Sequence, residues 1–209
     1  MAATVFVIGL WVSINGWQTN KAASAVVTHL AATATNGHAP NPVVPSTTKP
    51  PAGNVVSYTV APALPRYLSI AKLGVHARIL QLGVDKSGQL NTPPNVYDTG
   101  WYDASSLPGQ PGAMLIDGHI SSWTTPGVFY DLKKLTTGDV ITVERGDGKV
   151  FTYRVVRIQT YDANSVDMQA AVTPVIPDKP GLNLITCTGS VKPGTSEFNQ
   201  RLIVFTVQA

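Results

Sequence analysis

The 209-residue chain has a single cysteine, Cys187, which follows an apolar β-type run, Gly181-Leu182-Asn183-Leu184-Ile185-Thr186, and precedes a Thr-Gly stop. A lone thiol forms no disulfide within the chain and no cysteine cage for a metal, which leaves a small buried hydrophobe or a nucleophile. Alternation at period two sets Asn183, Ile185 and Cys187 on one face of the strand and Leu182, Leu184 and Thr186 on the other, so the sulfur need not share the core of the leucines. Fourteen residues later Arg201 opens the last apolar run, Leu202-Ile203-Val204-Phe205-Thr206-Val207. If the two runs pair as a hairpin, the guanidinium falls within reach of the thiol. Of the four histidines, only His119 leaves the end of an apolar strand, Ala113-Met114-Leu115-Ile116-Asp117-Gly118; a strand-end Gly-His beside a Thr-Cys asks for a nucleophile and an acid. Asp117, His119 and Cys187 are also metal-ligand types. Two of them stand two apart on one strand with no further His or Cys following, and Arg201 would repel a cation, so a metal is not expected.

The elements that must hold these groups are short β runs punctuated by Gly and Pro. Strands are expected at residues 67–73, 77–84, 113–117, 140–144, 150–161, 182–187 and 202–207, which implies an all-β barrel or sandwich. Arg145-Gly146-Asp147-Gly148 separates two of them, and Asp-Gly between β patterns is hairpin chemistry, which accounts for this Arg-Gly-Asp triplet without an adhesion partner. Residues 91–112 and 162–180 lack strand character and read as long loops, the second with two helical turns over 165–172 before Pro174.

With 44% hydrophobic and 13% charged residues the chain is not a charge-driven disordered protein. Residues 1–65 carry Lys21, Lys49 and no acid; the remaining 13 basic and 12 acidic residues nearly cancel, which is no electrostatic footprint for nucleic acid. Residues 1–20 form an apolar signal or membrane-anchor segment: the stretch 2–17 would span about 24 Å as a helix, short of a bilayer core of roughly 30 Å. Residues 21–65 are a Pro-, Thr- and Ala-rich tether that includes Pro40, Pro42, Pro45, Pro50, Pro51, Pro62 and Pro65, and residues 66–209 are the folded domain. That order suits a domain held off a membrane.

From residue 67 onward the chain resembles the sortases, cysteine transpeptidases of the bacterial cell surface. Leu184-Ile185-Thr186-Cys187 is similar to the family's Thr-Leu-x-Thr-Cys signature, Gly118-His119 to its histidine segment, and Arg201 falls where its arginine follows on the next strand. Thr99-Gly100-Trp101-Tyr102, Val128-Phe129-Tyr130-Asp131-Leu132 and Gly138-Asp139-Val140 resemble the class E and F branches. Asn183 departs from the signature's first Thr, which bears on substrate detail, and Ile120 follows the histidine. The resemblance implies an eight-stranded β-barrel with short helices in its loops; the sequence itself offers no cofactor site, its Asp and Glu being too sparse for a Ca²⁺ loop. It also implies attachment at the outer face of the cell membrane, and as substrates proteins bearing a Leu-Pro-x-Thr-Gly-like sorting signal. Cys187 would attack between Thr and Gly, His119 would protonate the leaving amine, Arg201 would hold the oxyanion and Thr186 would bind substrate. A cell-wall precursor or pilin amine would resolve the thioester. The competing readings are a cysteine L,D-transpeptidase, whose Ser-x-Gly-Cys-Arg type signature is absent, and a non-catalytic surface β-domain for adhesion or wall binding.

Overall fold

The computed structural model describes residues 44–50, 57–86, 90–166 and 168–209. The apolar start and most of the tether lie outside the described residues; among those described, no helix is long and apolar enough to cross a membrane.

Eight strands close into one barrel. In chain order they are β1 (Pro65–Ile70), β2 (Val75–Leu82), β3 (Thr99–Tyr102), β4 (Ala113–Gly118), β5 (Val140–Arg145), β6 (Val150–Asp162), β7 (Gly181–Val191) and β8 (Phe198–Gln208), with one short helix, α1 (Met168–Val172). Around the barrel the order is β1-β2-β3-β4-β7-β8-β6-β5. Two neighbour pairs are parallel, β2 with β3 and β4 with β7; the others are antiparallel. Closure leaves no unpaired edge along which another chain could add a strand.

The alternation read in the sequence becomes two apolar layers. Leu68, Ile70, Met114, Ile116, Leu182, Leu184, Leu202 and Val204 point into the barrel with Phe129 and Tyr153. Leu115, Ile185, Ile203 and Phe205 point outward, and the segment between β6 and β7, with α1, covers them through Val166, Met168, Ala171, Val172 and Val175. A strand pair buried on both faces reads as an unbroken apolar run, which is why β4 and β7 look so hydrophobic.

Three expectations change. Residues 91–112 contain β3, whose four residues Thr99-Gly100-Trp101-Tyr102 are all buried; a strand this short with a central Gly carries too little pattern to be read. The strand bearing the cysteine does not stop at Cys187. It runs on to Val191 through an irregularity after Thr188, where Gly189 takes a left-handed φ of 84°. Part of the proline-rich stretch is laid on the barrel: Ser46 bridges Asn95, and the Tyr58 hydroxyl donates to the Ile79 carbonyl at 2.8 Å. The Arg-Gly-Asp triplet folds back on itself as a hairpin turn, with Arg145 paired to Asp147 at 2.5 Å and Gly148 at φ 82°.

Entry into β3 is fixed by a buried ion pair. Arg78 of β2 donates from Nε and Nη2 to the two oxygens of Asp98 at 2.8 and 2.7 Å, and Asp98 is 3% exposed. The fork-to-carboxylate geometry satisfies both partners, and the bond to Asp98 raises the Arg78 pKa. Asp98→Ala leaves a guanidinium half-buried without its counter-charge and is expected to lower stability by about 3 kcal/mol, measured by urea unfolding.

Candidate functional site

Strand register brings the three chemistry-bearing residues of the sequence onto one line. β4 and β7 run parallel with Leu115 opposite Asn183 and Asp117 opposite Ile185. β7 and β8 run antiparallel with Asn183 opposite Phe205, Ile185 opposite Ile203 and Cys187 opposite Arg201. Side chains two apart on a strand share a face, so the outer face carries the rows Leu115, Asn183, Phe205 and then Asp117, Ile185, Ile203, followed by a third in which Cys187 stands opposite Arg201, with His119 one residue past the end of β4 at that level. Neighbouring strands lie about 4.8 Å apart, which sets the Cys187 and Arg201 backbones side by side.

On β7 and β8 burial ends at Cys187 and Arg201, and on β4 it ends one row earlier, at the partly exposed Asp117. Asn183, Ile203 and Phe205 are fully buried beneath the β6–β7 segment and Ile185 is 6% exposed, whereas His119, Cys187 and Arg201 are each partly exposed. The thiol therefore sits where the apolar roof stops, partly open to solvent.

His119 is fixed from three sides. Its carbonyl accepts from the Phe129 N–H at 2.9 Å, and the Ile120 carbonyl accepts from Gly127 at 2.8 Å, so the segment after β4 folds back on the histidine. A Cβ at Gly118 would lie 2.5 Å from the Phe129 ring, and one at Gly127 would run into the His119 carbonyl; these glycines permit the close approach. Thr186 of β7 donates its hydroxyl to the Gly118 carbonyl at 2.7 Å, tying the strand of the thiol to the residue before the imidazole. The ring itself places Nε2 2.7 Å from the Pro93 carbonyl. A carbonyl only accepts, so Nε2 is the donor in this contact and Nδ1 is the ring nitrogen it leaves over.

Thr186 thus differs from the expectation of a substrate contact. Its side chain points into the barrel, is 1% exposed, and its hydroxyl is committed to Gly118. Asn183 is likewise not open to a substrate. It is fully buried, and its amide donates to the carbonyls of Ala171 at 2.9 Å and Thr173 at 3.3 Å, clasping the C-terminal end of α1 to β7. Neither role was legible, because each depends on what a distant segment lays beside the strand.

Arg201 uses Nη1 on its own strand entrance, donating to the Phe198 and Gln200 carbonyls at 3.1 and 3.0 Å. The remaining donors of the guanidinium make no hydrogen bond among the described residues and are available for an anion. Pro93 is a contributor that the sequence reading missed. The loop that carries it is held by the segment 44–50, through Ser46 N–H to the Pro94 carbonyl at 2.9 Å and Asn95 Nδ2 to the Thr48 carbonyl at 2.8 Å. Asp117, considered from sequence only as a metal ligand, sits in the row next to the three.

Charge across the site is mixed. Burial pushes the Cys187 thiol pKa up, the Arg201 cation pulls it down, and the Asp117 carboxylate pushes it up again. Burial raises the Asp117 pKa to about 6 despite the opposing pull of His119, the Gly118 N–H and Arg201. A cavity of about 340 Å³ lies elsewhere, walled by Arg78, Tyr97, Asp98 and Tyr130; none of His119, Cys187 or Arg201 lines it. An extended peptide needs an open groove beside the thiol rather than an enclosed hole.

Residues 68–209 match the family model described as Sortase domain. No curated protein matches the chain. Among solved structures, sortase C-1 from Actinomyces oris is similar at 20% identity and a TM-score of 0.54, covering 91% of this chain and 98% of that one. A lid mutant of sortase A from Corynebacterium diphtheriae is similar at 21% identity and a TM-score of 0.53, covering 93% and 95%. A Clostridium perfringens Sortase D5 transpeptidase shows 23% identity and a TM-score of 0.50 over 68% of this chain and 77% of that one. At these identities the structural likeness speaks to the fold.

Two outcomes follow from the geometry. Arg201→Met removes the cation that lowers the Cys187 pKa, so the pH profile of Cys187 alkylation by iodoacetamide, read by mass spectrometry, should shift to higher pH. Thr186→Val keeps the strand but frees the Gly118 carbonyl; thermal or urea unfolding should show a loss of about 1 to 2 kcal/mol.

Proposed function

The chain belongs to the sortase family, and on that premise we propose that it is a cell-surface cysteine transpeptidase. It cleaves a Leu-Pro-x-Thr-Gly-like sorting signal between Thr and Gly and transfers the acyl group to an amine. The observation that carries this reading is the pairing of Cys187 with Arg201 at the edge of the apolar roof, with His119 one residue past the end of the strand that runs beside β7.

In the proposed cycle the Cys187 thiolate attacks the Thr carbonyl carbon, and the π electrons move to oxygen. Arg201, with donors left over from its strand entrance, stabilises that oxyanion. The oxyanion collapses, the C–N bond breaks, and the proton on His119 Nδ1 passes to the leaving Gly amine. A thioester between Cys187 and Thr remains. An incoming amine gives a proton to Nδ1 as it attacks the thioester; the C–S bond breaks and the thiolate returns. Water in place of the amine gives hydrolysis as a side reaction. No cofactor enters these steps.

The barrel contributes rigidity. His119 and Cys187 are carried by neighbouring parallel strands, and the Thr186 bond to Gly118 holds those strands at the catalytic level. Thr186 is accordingly a positioning residue in this proposal. The segment that includes α1 forms one wall of the substrate groove and, through the Asn183 clasp, moves with β7. Anchorage at the outer face of the membrane is assigned to the apolar segment 1–20, with the tether between it and the barrel giving reach. The acceptor is a cell-wall precursor or pilin amine, and the segments around Thr99, Val128 and Gly138 support a class E or F type.

The test incubates the chain with a Leu-Pro-x-Thr-Gly peptide library and an amine, with mass spectrometry for cleavage, ligated product and a thioester on Cys187. Thr-linked product and thioester are expected, and both vanish in Cys187→Ala. Arg201→Ala should lower kcat/KM by roughly 10²- to 10³-fold. No adduct with any peptide, together with a thiol that resists alkylation until the protein unfolds, would overturn the reading in favour of a non-catalytic surface β-domain.

A further inference from the structure

We propose that Asp117 is a fourth working residue of this site, a positioning carboxylate on the outer face of β4 that draws the His119 and Arg201 cations toward the thiol's row. The proposal rests on the acyl-transfer reading above and adds a residue to it.

The placement is geometric. Asp117 shares the outer face of β4 with His119, two residues on, and stands opposite Ile185, two residues before Cys187. With strands about 4.8 Å apart and about 6.8 Å between same-face residues, its Cα lies about 8 Å from that of Cys187. Its own row otherwise holds Ile185 and Ile203, both buried and apolar. Across β3 the opposing position is Gly100, with no side chain; a Cβ there would run into the Leu82 side chain, which fills that space. A carboxylate with aliphatic neighbours on both sides has its nearest charges in one direction only.

The titratable and charged groups that face it, among the described residues, are His119 on its own strand, Cys187 on β7 and Arg201 on β8. On β3 the same face carries Tyr102, whose hydroxyl burial holds protonated, and on β6 Tyr161 lies one strand beyond Arg201. The remaining neighbours from α1 and its flanks, Met168, Ala171, Val172 and Val175, are uncharged.

Two consequences oppose each other. An ionised Asp117 attracts His119 and Arg201, whose charges in turn favour its ionised form. The same charge works against formation of the Cys187 thiolate. A group that only supported the fold would not separate these effects. The carboxyl also works against stability: with its folded pKa raised to about 6 from 3.8, the native state binds more protons than the unfolded chain between those values. Stability is lost as pH rises through that window. A neutral isostere at this position removes that loss.

The experiment compares the full chain with Asp117→Asn and, as a second neutral variant, Asp117→Thr. Cys187 alkylation by iodoacetamide is followed from pH 5 to 9, and acyl transfer with the peptide and amine found for the parent is measured alongside. At pH 7 the variants should alkylate about three- to tenfold faster while acyl transfer falls roughly tenfold. The parent's plot of log alkylation rate against pH should bend near pH 6, lying above the line extrapolated from higher pH once Asp117 is protonated. In the variants the Asp117 contribution to that bend is lost, and the low-pH points lie closer to the extrapolated line than in the parent. Thermal midpoints at pH 7.5 should equal or exceed that of the parent. Alkylation unchanged within about twofold, or alkylation and transfer both falling, would overturn the proposal. Alkylation needs no peptide substrate, so a parent that transfers no acyl group would defeat the transpeptidase reading while the alkylation profiles still decide the role of Asp117.

Discussion

Everything at this site depends on the parallel pairing of β4 with β7. His119 and Cys187 are far apart along the chain, and they become neighbours only because Ala113 through Asp117 register with Gly181 through Ile185. A slip of one residue would turn every outward side chain of β7 inward, carrying the thiol into the barrel and Leu182 and Leu184 to the outer face. It would also bring the Asn183 amide, bonded to Ala171 and Thr173, into the apolar interior. Thr186 adds a specific lock, since its inward hydroxyl meets the Gly118 carbonyl only in this register.

On that frame, the outer layer determines where chemistry is possible. The segment that includes α1 covers Leu115, Phe205, Ile185 and Ile203 and stops short of Cys187 and Arg201, and the Asn183 amide holds it there. Among the described residues Asn183 Oδ1 has no hydrogen-bond partner, a cost that a purely apolar side chain at this position would not carry. What that cost secures is a fixed height for the roof, so that Cys187 is half-covered rather than buried or fully wet. The partial cover raises the thiol pKa, and Arg201, across the β7–β8 ladder, is the compensating charge.

The imidazole shows how little of a catalytic geometry belongs to the catalytic residue itself. The tautomer of His119 follows from the Pro93 carbonyl, and the loop bearing Pro93 is pinned by Ser46 and Thr48 from the proline-rich stretch ahead of the barrel. A segment whose composition reads as a spacer therefore supports the acid, through backbone hydrogen bonds that composition cannot reveal.

Sequence by itself determined the class of fold, the inward and outward faces of β4, β7 and β8, and the three candidate groups. These rest on local quantities: period-two alternation, Gly and Pro breaks, and the rarity of Cys and His beside apolar runs. The eight-strand count came from family resemblance, since Thr99–Tyr102 is too short to announce itself as β3. Only the tertiary structure decided that Cys187 lies within a strand rather than at its end, because β8 continues the ladder past it as far as Phe198. Likewise, only the folded chain turned Thr186 inward onto Gly118, gave Asn183 to α1, and set Asp117 beside the three. Each of those facts is a contact between segments far apart in sequence, fixed by barrel closure and strand register, and no local pattern encodes a register between distant strands.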